Sequence, residues 1–370
     1  MELSQQDQLR LNVLMAQNIQ AIRIDESRMK LHALAEKGDI TIQLHSTCKD
    51  EKYIKSVRQW LSTQVLGSPG GYPVFLKRWT RMGQGIGAAT NESLEKLLLL
   101  GEPEAIVAVV NAADVSNEIA RRAWWCSPTS ENARCLLRSQ AVVNGSMGTE
   151  LADFLVEFLP FEESSYAMMN SVQLILQAEL ISAAIRADLW KRAKRRNVFY
   201  LGFIRQGLHC LPAEKSNHPA AQQCQTLLAQ QDDPHLRILY TMFSPAGQTL
   251  LEIMGIVLRK PNDQDVAVEI FNSIGDTFTT DLTLPRNWRC IDELRACVEQ
   301  TIKADRFGSI VKQWPQAYEY IYAILYLSML SETLLDPVFG VTDSIGSVMR
   351  KRIKHLTDPI MEQLSVISQL

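Results

Sequence analysis

The segment Ser244–Pro261, SPAGQTLLEIMGIVLRKP, decides how the rest of the chain is read. Leu250, Ile253, Met254, Val257 and Leu258 recur at helical spacing, so a single helix face carries all five. Ser244 stands at the capping position, Pro245 at the first helical position, where a backbone N–H has no partner to lose, and Pro261 ends the run. The spacing predicts an amphipathic helix with one buried face.

Outward from this segment the same stripe returns. Leu151, Phe154, Leu155, Phe158 and Leu159 share a face until Pro160 stops it, and Leu294, Cys297, Val298, Thr301 and Ile302 form another, which places the Cys297 thiol on a buried stripe. Ser127-Pro128 and Asp358-Pro359 repeat the cap-then-proline signature, the latter predicting the start of a C-terminal helix with Met361, Leu364 and Ile367 inward. Pro315–Asp336 is the longest helix candidate, with Tyr318, Ile321, Tyr322, Leu325, Met329 and Leu330 on one side, and is expected at the centre of the second half. Only Asp39–His45, DITIQLH, alternates with period two. The expected fold class is therefore all-α, with a small hairpin or extended segment near the N-terminus.

Short helices crowd the span from Glu92 to Arg196. Within it NEIARRAW at Asn117–Trp124, TELADFLV at Thr149–Val156 and LISAAIRA at Leu180–Ala187 place apolar residues alike, as in the helical hairpins of a HEAT-like α-solenoid. Chance alignment of amphipathic helices gives the same pattern. The polar stretch Pro212–Pro234 marks a boundary, with Cys224–Ala229 open to a helical turn or two, and Asp276–Asn287 reads as a long loop. This divides the chain into an N-terminal helical region with a Gly/Pro-rich loop over 1–90, a repeat-like region over 91–215 and a C-terminal helical domain over 235–370.

Composition narrows the function classes. Of 370 residues 46% are hydrophobic and 21% charged, the profile of an ordinary folded protein. Lys plus Arg number 38 against 41 Asp plus Glu, a net charge of −3, so binding of nucleic acid or membrane would have to be local. MELSQQDQLR at Met1–Arg10 lacks the basic start and apolar stretch of a signal peptide, and Tyr320–Leu330 is too short and mixed for a membrane span. A cytoplasmic location with reduced thiols is expected, the seven cysteines being odd in number and thinly spread.

The most unusual stretch is VLGSPGGYPVFLKRWTRMGQ at Val65–Gln84. Ser68, Gly70, Gly71 and Tyr72 form a loop with free backbone amides, and Lys77, Arg78 and Arg81 surround Trp79, which together suit an anionic or acidic partner. The plainer reading is a turn with packed aromatics and solvated cations. No Walker or dinucleotide motif follows, and Gly83, Gly85 and Gly87 read as linker. His209, Cys210, His218, Cys224 and His235 are of zinc-ligand type but fit no ligand spacing, so no metal and no cofactor is expected. Two basic runs, Lys191, Arg192, Lys194, Arg195 and Arg196, then Arg350, Lys351, Arg352, Lys354 and His355, are each read as closing a helix, where the macrodipole favours cations. The other reading makes them patches for RNA or an acidic protein.

LGSPGGYPVFLKRWTRMGQ at Leu66–Gln84, LLLLGEPEAIVAVV at Leu97–Val110, RRAWW at Arg121–Trp125 and EFLPFE at Glu157–Glu162 together resemble the DsrS family, encoded beside the reverse-acting dissimilatory sulfite reductase of sulfur-oxidising bacteria. The resemblance implies a soluble cytoplasmic protein supporting oxidation of stored sulfur. It carries over no reaction and no catalytic residue. The expected function is a non-enzymatic helical interaction or accessory protein, partnered by the sulfur-oxidation machinery and acting through the expression or stability of its components. The alternatives are an enzyme or binding protein for a small anion at the glycine loop, or an RNA-binding regulator.

Overall fold

The computed structural model describes residues 3–73, 90–212, 215–282, 284–303, 307–341 and 343–368, and the chain divides into two compact units, Met1–Phe158 and Leu159–Leu370. The division falls inside the 91–215 span. Helices before it join a core with an N-terminal sheet, and helices after it join the C-terminal helices.

In the first unit α1 (Gln5–Met15) precedes an antiparallel sheet of β1 (Ile19–Asp25), β2 (Lys30–Ala35) and β3 (Gly38–Gln43) in that order, and α2 (Asp50–Leu66) follows. Register sets Ile22 opposite Ala33 and Leu31 opposite Ile42. One sheet face packs with Leu11 and Leu14 of α1 and Tyr53, Val57 and Leu61 of α2. The chain is thus predominantly helical, as expected, and the small hairpin or extended segment expected near the N-terminus is a three-stranded sheet. β3 lies within one to two residues of the alternating stretch Asp39–His45. β1 and β2 escape the period-two test because Ala21 and Leu34, on the opposite face, are buried too, and the register slips between Ile19 and Ala21.

The unit continues through α3 (Asn91–Leu98), α4 (Pro103–Val110), α5 (Asn117–Cys126), α6 (Ser130–Leu136), α7 (Gln140–Val143) and α8 (Ser146–Phe158), packed mainly on near neighbours in the chain. Ser116 caps α5 by accepting from Ile119 N at 3.3 Å, and Thr129 caps α6 by accepting from Asn132 N at 3.2 Å. β1 packs against α3 and α5.

The second unit runs through α9 (Ser165–Ile175), α10 (Ala183–Ala193), α11 (Val198–Gln206), α12 (Ala221–Gln230), α13 (Pro234–Met242), α14 (Pro245–Arg259), α15 (Gln264–Phe278), α16 (Ile291–Lys303), α17 (Gly308–Gln313), α18 (Ala317–Ser328), α19 (Asp336–Phe339) and α20 (Gly346–Ile367). α14 is the helix the opening segment predicts. Ser244 Oγ accepts from Gly247 N at 3.1 Å, and all five stripe residues are buried. α18 is central, packing against α13, α15, α16, α17 and α20, but it ends at Ser328, and Tyr318 faces solvent.

Three more expectations change. Asp358-Pro359 opens no helix, because α20 runs straight through it. An interior proline costs about 3 kcal/mol, whereas Met349, Ile353, Leu356, Ile360, Leu364 and Ile367 form one continuous buried stripe worth about 1.5–3 kcal/mol per side chain, so burial wins. Cys297 sits at the margin of its stripe and is partly exposed, while Leu294, Val298 and Ile302 are buried. Of the three repeat-like segments, two lie within α5 and α8, but Leu180–Ala187 straddles a turn and enters α10 only at Ala183, behind its cap Ser182.

Candidate interaction site

The glycine loop begins where α2 ends, with Gly67 in the left-handed conformation at φ +69° and its N–H donating to Thr63 O at 3.0 Å. The buried Ser62 hydroxyl donates to Ser68 O and accepts from Gly71 N at 2.9 Å. Tyr72 N donates to Glu102 Oε2 at 2.9 Å. Gly71 has φ +61°, where a side chain is strained, and a Cβ there would stand 2.2 Å from Glu102 Oε1 and push that carboxylate off the Tyr72 amide. The amides of Gly71 and Tyr72 are therefore taken by the chain's own hydroxyl and carboxylate. Ser68 and Tyr72 are half-buried and Gly70 is exposed, while Lys77, Arg78, Trp79, Arg81 and the glycines at 83, 85 and 87 lie outside the described residues.

Arg121–Trp125 and Gly101 tie elements of the first unit together. Arg23 lies 4.7 Å over the Trp125 ring and donates to Trp125 O at 3.2 Å, and Trp125 Nε1 donates to Asp39 Oδ2 at 3.1 Å. Trp124 Nε1 donates to Glu150 Oε1 at 3.0 Å, and its ring meets Phe154 edge-on at 4.7 Å. Arg121 Nη2 donates to Glu118 Oε1 at 2.7 Å, which with Arg122 draws the Glu118 carboxyl down to about 2. Gly101, at φ +64°, passes 3.0 Å from the Ile24 side chain if given a Cβ, and its carbonyl accepts from Arg58 Nε at 3.0 Å.

The histidines and cysteines of 209–235 are built into the second unit separately. His218 stacks on Phe243 at 4.2 Å, Cys224 is buried with its thiol on Leu236 O, and the sealed His235 has Nδ1 at 3.3 Å from Asp233 Oδ1, the cap of α13. Among the described residues no group of three or more His, Cys, Asp or Glu is placed to hold a metal ion.

The basic runs part company. Lys191 and Arg192 fill the last turn of α10, and Arg192 pairs with Asp188 at 2.7 Å, so the macrodipole explains that end. The second run does not close a helix; it lies in the first half of α20. The run lies beyond the first turn and far from the last, where the dipole favours no cation, so helix electrostatics supplies no reason for it. Arg350 Nη1 donates to Pro261 O at 3.2 Å and Lys354 lies 3.7 Å from Asp358. Lys351 and Arg352 are exposed and have no carboxylate within ion-pair distance among the described residues. Val348 shares their exposed face at helical spacing, with His355 one turn on, and Val341 and Ile345 lead into the helix. Exposures of 80% for Val341, 67% for Ile345 and 52% for Val348 are high for such side chains.

Comparison with family models, with characterised proteins and with solved structures finds no match to the chain. Among the described residues no helix is long and apolar enough to cross a membrane.

Proposed function

We propose that the protein works by holding an acidic protein partner, as a non-enzymatic accessory in the cytoplasm that supports oxidation of stored sulfur through the expression or stability of the proteins that perform it. The supporting observation is the start of α20, where exposed Val341, Ile345 and Val348 adjoin Lys351 and Arg352, which have no ion-pair partner among the described residues. Apolar anchors beside cations form a surface whose counterpart is an acidic protein face with an apolar pocket. In this reading α3 to α8, each packed on its neighbours, serve as a short HEAT-like stack. The sulfur setting rests on the sequence blocks that resemble the DsrS family.

The test is the variant Lys351→Glu with Arg352→Glu, introduced in place of the normal chain in a sulfur-oxidising host. Exposed unpaired cations contribute under about 1 kcal/mol to folding, so the variant should accumulate normally. The sulfite reductase level and the rate of sulfur oxidation should fall. An unchanged rate with a folded variant removes the reading.

A further inference from the structure

We infer that the second unit carries a binding site for a small organic oxyanion with a flat apolar body, in the cleft where Arg186, Trp190, Phe203, His209, Cys210 and Pro212 meet. The cleft lies between α10, α11 and the short 3-10 turn Leu208–Cys210 and encloses about 370 Å³, room for a small molecule. It is independent of the α20 face.

Arg186 carries the argument. Its Nε is buried and has no hydrogen-bond partner among the described residues. Arg186 as a whole is half-buried at the cleft wall, and the group that best answers a guanidinium without a partner among the described residues is a carboxylate, sulfonate or phosphate oxygen, which a guanidinium takes two at a time. The walls supply the second half of the specificity. Trp190 is fixed by edge-on contacts to Tyr200 and Phe203, each at 5.1 Å, and both Trp190 and Phe203 line the cleft, so the indole is held rigid beside the space a flat ring would fill. Burial holds the Cys210 thiol above its ordinary range although the Arg186 charge pulls it down, so the cleft offers a lining thiol and no ready nucleophile.

Two other clefts lack this combination. On another side of Trp190 a space of about 480 Å³ is lined by Lys215, which is answered by Glu252 at 3.2 Å, and by Lys194, which is exposed to solvent. The groove between α1 and β3 is lined by Leu9, Val13 and Ile40, and its cation, Arg10, already donates to Gln43 O at 3.2 Å.

The probe is 1-anilinonaphthalene-8-sulfonate, which joins a sulfonate to fused rings, titrated by fluorescence into the full chain. One saturable site is expected. Arg186→Gln should weaken it about ten- to a hundred-fold, since a hydrogen bond to a charged group is worth about 1.5–3 kcal/mol. Trp190→Phe should weaken it less. In the unmodified protein the probe should shield Arg186 from phenylglyoxal, read by peptide mass spectrometry, while uncharged N-phenyl-1-naphthylamine should not. Phenyl phosphate and benzoate as competitors tell a phosphate site from a carboxylate site. Binding that survives Arg186→Gln unchanged, or phenylglyoxal labelling of Arg186 that the sulfonate leaves unaltered, overturns the proposal, and the labelling decides it even if the variants fail to fold.

Discussion

Asp7 is a carboxylate with no exposed surface on α1, and it is held there by three donors. Tyr53 Oη donates to Oδ2 at 2.6 Å, His45 N to the same oxygen at 2.8 Å, and the His45 ring nitrogen lies 3.3 Å from Oδ1. Burial, the largest single influence, pushes its carboxyl up, but the hydrogen bonds led by Tyr53 together outweigh it and leave the group below its ordinary 3.8. A depressed folded value means stability that is present above the unfolded value and lost as pH falls through the folded one. Asp7→Asn should therefore cost about 1–3 kcal/mol near neutral pH, and denaturant titrations should show the gap between the two proteins closing below about pH 4. Nothing near Asp7 in the sequence announces this, because Tyr53 is 46 positions away and His45 is 38. Thiols give a second residue-scale expectation. Burial pushes Cys126 and Cys224 up to about 12, whereas Cys290 is exposed, so an alkylating reagent at neutral pH should label Cys290 first and leave Cys126 and Cys224 unmodified until the protein unfolds. Early labelling of Cys224 would show that its surroundings open.

At the scale of elements, apolar stripes told which residues several helices bury, whereas of the three cap-then-proline readings only Ser244-Pro245 marks a helix start, α6 being capped instead by Thr129, two residues after Ser127. Ser244-Pro245 opens α14 as read, yet Asp358-Pro359, with the same two-residue signal, lies mid-helix, because a stripe of buried side chains on both sides overrides it. What the pattern could not reveal is how the long polar stretch after α15 is held. Arg286 Nε donates to Leu330 O at 2.9 Å, Nη2 to Asn272 O at 3.2 Å, and Nη1 meets Asp276 Oδ1 at 2.5 Å. Its own carbonyl accepts from Ser331 Oγ and from Thr333 Oγ1, the latter at 3.0 Å. Gly275 allows this approach, as a Cβ there would lie 2.3 Å from Arg286 Nη2. Arg286→Ala removes three anchors at once and should cost about 2–3 kcal/mol, with limited proteolysis between 279 and 290 becoming fast in the variant. If cleavage there is no faster than in the unmodified chain, Arg286 does not hold the segment.

For the whole molecule, the abundance of helix was legible and its partition was not. Short amphipathic helices look alike whichever core they join, so the boundary at Phe158 and Leu159 leaves no composition shift, while the polar stretch around Ala221–Gln230 resembles a linker and yet forms α12. The glycine loop was visible as unusual, but Ser62 and Glu102, the groups that answer its amides, were not, because neither type nor spacing marks them. Two separate cores predict that residues 1–158 and 159–370, expressed apart, each melt cooperatively with a helical circular-dichroism spectrum. A fragment that stays unfolded would show that its core is incomplete alone.

Glu102 makes the loop after α2 a receptor already filled. Because the carboxylate is tethered to the same chain as the Tyr72 amide it meets, its effective concentration is on the order of millimolar or more, and a dissolved anion must compete against that rather than against water. An anion that reaches the Tyr72 amide must therefore displace a group of the chain itself. Vacating it takes a change in the chain itself, such as Glu102→Gln, after which simple inorganic anions become rivals for the same N–H groups.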